Sequence, residues 1–190
     1  MKTIPIMIIL AICSTCYAQN SKTYIESSHL FLSEIQYPIN YKPSLKLSIN
    51  KNDLIEYLKE FDKDLNNGIF IDSLSYDFPS PENKTEISQI LKKNLRHSLN
   101  HLYLERPTSS WEWNIDLLNN NYTSKTDSKL ISTIYPPIFI ENSEYVLLFE
   151  YRSRRINKEA VTHTTSGSYY LYKKEKTKYT LVTSILKSID

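Results

Sequence analysis

Tyr145-Val146-Leu147-Leu148-Phe149-Glu150-Tyr151, then Ser168-Tyr169-Tyr170-Leu171-Tyr172-Lys173, then Tyr179-Thr180-Leu181-Val182-Thr183-Ser184-Ile185: these three stretches decide the fold. Each is short and rich in aromatic and β-branched residues, the helical period of the first half gives way here to that of strands, and Glu175 to Lys178 supplies a turn between the last two. Trp111 to Ile115 and Ile138 to Ile140 read as further strands, with Glu141-Asn142-Ser143 as a turn. The end of the chain therefore reads as an antiparallel meander.

Upstream the period changes to that of a helix. From Asp53 to Leu65 the apolar Leu54, Tyr57, Leu58, Phe61 and Leu65 share one face, with Glu56, Lys59, Glu60, Lys63 and Asp64 opposite. Asp53 and Glu56 make a capping-box start, and Asn66-Asn67-Gly68 a left-handed stop. Ser80-Pro81-Glu82 opens a second long helix, carried by Ile87, Ile90, Leu91, Leu95, Leu99 and Leu102 and ending before Pro107. Ser44 to Ile49 and Ile69 to Tyr76 alternate as short strands do, and Tyr24 to Ile35 is ambiguous. Helices first and a meander last predict an α+β fold, two amphipathic helices packed on a C-terminal antiparallel sheet.

Composition narrows the chemistry. The chain has 190 residues, 23 Lys and Arg against 21 Asp and Glu, and only two glycines, Gly68 and Gly167. Dinucleotide-binding and phosphate-cradling loops and the GxSxG nucleophile elbow each need glycines a few residues apart, so none is present in those forms. No cofactor is expected.

Met1-Lys2, the uncharged run Ile4 to Ile12 and the small residues ending in Ala18 read as a secretory signal peptide cut after Ala18, leaving one globular domain over 19–190. A membrane span needs about 20 apolar residues, which no segment supplies. A minor alternative is lipid anchoring through Cys16. Cleavage after Ala18 removes both Cys13 and Cys16, and with them disulfides, Cys-zinc sites and thiol chemistry. A periplasmic or secreted protein is expected.

Ser132 to Phe139 with its Pro137-Ile138-Phe139, Tyr145-Val146-Leu147-Leu148, Gly167 to Lys174 and Tyr179-Thr180-Leu181-Val182 together resemble the closing β-meander of small exported proteins of Bacteroidota. The resemblance covers about the last 60 residues. It implies an envelope location and supplies no catalytic residue.

Four constellations carry possible chemistry. Arg152, Arg154, Arg155 and His163 lie in a polar stretch, 152 to 167, read as a long loop on a rigid sheet, where binding residues tend to sit. The lysines 173, 174, 176 and 178 would lie at the other end of the hairpin, so the two basic clusters do not make one nucleic-acid patch. His97, His101 and Glu105 follow one another at helical spacing and would offer two imidazoles and a carboxylate to zinc. Asp62 to Ile69 resembles the start of a calcium loop, against the plainer reading of a helix end. Trp111 and Trp113 with Tyr169, Tyr170 and Tyr172 make either an aromatic platform for a glycan or ordinary core. The leading expectation is a non-enzymatic module that binds another envelope or exported protein. The alternatives are a small periplasmic metal-dependent hydrolase and an envelope glycan-binding module.

Overall fold

The computed structural model describes residues 23–35, 44–67, 110–118, 122, 130–140, 144–155 and 162–187. The expected strand Ile69 to Tyr76, the helix after Ser80 and the signal segment lie outside them. The fold is α+β: among the described residues two helices in the N-terminal half flank a mixed, mostly antiparallel sheet.

The meander forms the body of the sheet as β6 (Tyr145–Arg155), β7 (Thr162–Glu175) and β8 (Lys178–Lys187). β6 and β7 pair through Tyr145↔Lys173 to Arg155↔Thr162, and β8 follows β7 through a loop of Lys176 and Thr177. On the other side of β6 run β4 (Leu130–Ile134) and β5 (Ile138–Ile140). They behave as one strand broken at Pro136-Pro137, because proline has no N–H to give the ladder. Tyr135 still donates its N–H to Phe149 O at 3.0 Å across the break. β1 (Ser44–Leu45) pairs parallel with β4, which makes the sheet mixed. β2 (Ser48–Ile49) and β3 (Trp111–Glu112) make a separate two-stranded ribbon.

β3 is shorter than the Trp111 to Ile115 strand that alternation suggests. Asn114 Oδ1 accepts from Asp116 N at 3.1 Å and turns the chain into a 3₁₀ turn over Ile115–Leu117.

The helix over 23–34 is α1, and Lys51–Asn66 is α2. α2 begins before Asp53: Asn50 is its cap, with Oδ1 accepting from Asp53 N at 2.9 Å, the usual service of an asparagine at this position. The buried stripe Leu54, Tyr57, Leu58 and Phe61 packs on Leu147, Phe149, Tyr169, Leu171 and Ile185. α1 resolves the ambiguity of Tyr24 to Ile35, and it packs on the opposite face: Phe31, Leu32 and Ile35 meet Val146, Leu148, Tyr170 and Tyr172.

The sheet is thus covered on both sides, and its central strands are not one-sided. That explains why Tyr145 to Phe149 is an unbroken apolar run, for a strand buried on both faces has no solvent side to make polar. His29 fixes the α1 layer. Its buried ring accepts from Asn114 N at Nε2, 2.9 Å, so Nδ1 carries the proton and donates to Ile25 O at 2.8 Å. Trp113, edge-on to His29, donates Nε1–H to Ile134 O at 2.8 Å.

Candidate functional site

Glu150 is the one acidic residue in the apolar run of β6, and it is 1% exposed. Its position in the ladder lies between Ile134 of β4 and Ser168 of β7, on the α1 face. Ser132 Oγ donates to Glu150 Oε1 at 2.5 Å, and Arg152 Nη2 donates to Glu150 Oε2 at 3.1 Å and to Tyr170 OH at 2.9 Å. A carboxylate this deep survives only because donors and an opposite charge replace its water. The guanidinium keeps 25% of its side chain exposed, so the network opens toward solvent at Arg152.

Beyond Arg152, among the described residues, β6 and β7 run past the end of β8 as an arm, with β4 beside β6 as far as Leu130. The register shifts there: Arg152 faces Ser166 and Ser153 faces Thr164, leaving Thr165 as the extra residue of a bulge. Pairing then resumes as Arg154↔His163 and Arg155↔Thr162, with Leu130 of β4 beside Arg154. The 152 to 167 stretch is therefore not a long loop. Its ends are strands, because Thr and Ser sustain a ladder without any apolar pattern to announce it, and only 156–161 between them lies outside the described residues. The arm brings Arg154 and His163 to facing backbone positions, whereas Arg152 serves as the anchor at its base.

The lysine cluster lies at the opposite end of β7, where Lys173 faces Tyr145, so the two basic groups are separate surfaces as expected. Asp62 and Asp64 belong to the last turns of α2. Asp64, 5% exposed, accepts from Tyr169 OH at 2.8 Å and from Lys187 Nζ at 2.8 Å. Glu60 accepts from Tyr151 OH at 2.9 Å and Lys187 Nζ at 3.3 Å, completing a cross-layer clamp on the α2 face. This is a helix end tied to the sheet. Among the described residues no group of three or more His, Cys, Asp or Glu is placed to hold a metal, and His97, His101 and Glu105 lie outside them.

The aromatic platform is not a surface. Trp113, Tyr169, Tyr170 and Tyr172 are buried, and Tyr169 points to the α2 core while Tyr170 and Tyr172 belong to the α1 core. Sequence reasoning passed over Ser132 and Glu150 and placed Tyr170 only in the aromatic set; the single charge inside the Tyr145 to Tyr151 run was the signal that marks the network.

The buried tyrosines set a limit on alkaline stability. Burial, with Asp53, Glu60 and Glu56 adding to it, raises the Tyr135 phenol from 10.0 to about 12. Tyr57 and Tyr169 are pushed up in the same direction, again chiefly by burial. Between those limits the folded chain holds protons that the unfolded chain releases, so this stability is complete below pH 10.0 and falls as pH rises toward about 12. We expect most phenolate absorbance to appear together with loss of far-UV dichroism. Ionisation of all tyrosines near their ordinary value with dichroism intact would contradict the packing.

Comparison of the chain with protein-family models, with curated proteins and with solved structures gives no match. What the geometry itself defines is an α+β domain whose two-faced sheet carries a basic, bulged arm at one end.

Proposed function

We propose that the protein is an exported envelope protein acting as a non-enzymatic macromolecule-binding module, of inhibitor, immunity or accessory type, with the β6–β7 arm as its contact. The observation that carries this reading is the anchoring of Arg152. A buried carboxylate, a serine and a tyrosine hold the base of the arm, and Arg154, Arg155 and His163 occupy ladder positions on the strands that continue from it. A base already held in place loses less entropy on binding than a flexible one does. Arginine also suits interfaces, since its planar fork donates to carboxylates in pairs. Export rests on the Met1 to Ala18 segment. Among the described residues no helix is long and apolar enough to cross a membrane.

The test is affinity capture of the tagged full chain from an envelope extract of its own host, beside an Arg154→Glu/Arg155→Glu variant. We expect a protein retained by the parent and lost by the variant, with the variant's dichroism unchanged. Finding no specific partner, with and without crosslinking, would overturn the reading.

A further inference from the structure

β8 ends the sheet: among the described residues nothing pairs with its outer side. On an antiparallel edge strand alternate residues direct both N–H and C=O outward, ready to pair with an added strand. Natural edges are usually blunted by charge, proline or brevity, whereas β8 runs ten residues from Lys178 to Lys187 and carries charge only at its two ends. Its one irregularity is a bulge at Val182, between the pairs Leu171↔Thr183 and Tyr172↔Leu181.

Two exposed leucines flank this edge. Leu181 is 39% and Leu186 71% exposed, and they face Tyr172 and Ser168 across the ladder, on the α1 side of the sheet.

At the start of β8 the charge is one-sided. Lys173, Lys174, Lys176 and Lys178 cluster about Glu175. Lys173 leans on Tyr145 and Glu144, Lys174 on Tyr179, and Glu175 on Thr180. Lys176 has a φ of 58° in a two-residue hairpin loop, a left-handed conformation that glycine adopts freely, and the residue at that position is a cation.

We propose that the β8 edge is a second docking surface, which accepts an extended segment of a partner protein by strand addition. The segment carries acidic residues where it meets the lysine turn and apolar residues that cover Leu181 and Leu186. Main-chain hydrogen bonds supply affinity, and the lysines and leucines supply register and selectivity. This inference rests on the reading of the protein as a binding module, but its lysine turn lies at the opposite end of β7 from the arm and its edge is on β8, so the Arg154→Glu/Arg155→Glu variant leaves both unchanged and the two readings fail separately.

The test uses the full chain and two dye-labelled synthetic peptides of alternating Val and Thr, one ending in a run of Glu and the other in a run of Lys. The Glu-ended peptide should bind about tenfold more tightly, the sum of a few exposed ion pairs. Lys174→Glu/Lys176→Glu/Lys178→Glu should reverse that order, and Leu186→Lys should weaken both peptides. Hydrogen exchange of the free protein should show alternate β8 amides exchanging quickly and slowing when peptide is added. Equal affinity for the two peptides, or no binding, would overturn the proposal. So would protection of every β8 amide in the free monomer or in a self-associated dimer, since the edge would then be covered by the chain itself or by a second copy.

Discussion

Replacing Phe149 by Ala is expected to lower the free energy of unfolding by about 4 kcal/mol, within the range for emptying a buried aromatic site. Phe149 is 1% exposed at the centre of the α2 face. It stacks on Tyr169 at 4.3 Å and on Tyr57 at 5.4 Å, and meets Tyr151 edge-on at 4.6 Å. Its ring joins helix to sheet, because Tyr57 comes from α2 and Tyr169 from β7. Such a loss is a large share of the roughly 5–15 kcal/mol that holds a typical domain together. Phe149→Leu, which keeps most of the volume, should cost far less, on the order of 1.5 kcal/mol. Urea titrations of the three proteins measure both effects, and nearly equal midpoints for parent and Phe149→Ala would mean that α2 does not pack on this face.

The second large effect belongs to Glu150. Glu150→Leu leaves Ser132, which is 0% exposed, without its acceptor and leaves the Arg152 guanidinium without its counter-charge. Removing one member of a buried pair typically costs about 3–5 kcal/mol. We expect about 3 kcal/mol, the low end, because Arg152 keeps 25% of its side chain in water. The double variant Glu150→Leu/Arg152→Leu should be more stable than Glu150→Leu alone, since it buries no unmatched charge. A double variant as unstable as the sum of the two single losses would show that the pair is not coupled and that the arm lacks the support assigned to it. Arm contact and arm support also separate in this comparison, for Arg154→Glu/Arg155→Glu should change partner capture with little change in the urea midpoint.

Much of this architecture was legible in the chain. Leu54, Tyr57, Leu58 and Phe61 repeat at helical spacing, so α2 and its buried face follow from the pattern. The same holds for β6, β7 and β8, whose apolar and aromatic runs end at a turn placed where the structure has Lys176 and Thr177. Asn50 was missed as the cap of α2 because Asp53 and Glu56 offered an equally good local start. The arm was missed because Ser153 to Arg155 and Thr162 to Thr165 contain no apolar residue, and period 2 can be read only where one face is apolar.

The sequence by itself determined that α2 is a helix and that the runs from Tyr145, Ser168 and Tyr179 are strands, through periodicity, capping and turn residues, all of which act within a few positions of one another. Only the tertiary structure decided that α1 and α2 cover opposite faces, that Pro136-Pro137 breaks one strand into β4 and β5 beside β6, and that Ser132, Glu150, Arg152 and Tyr170 meet. Those outcomes depend on which strand lies beside which, and pairing between residues distant in the chain is set by burying whole faces at once, a quantity that no local pattern records.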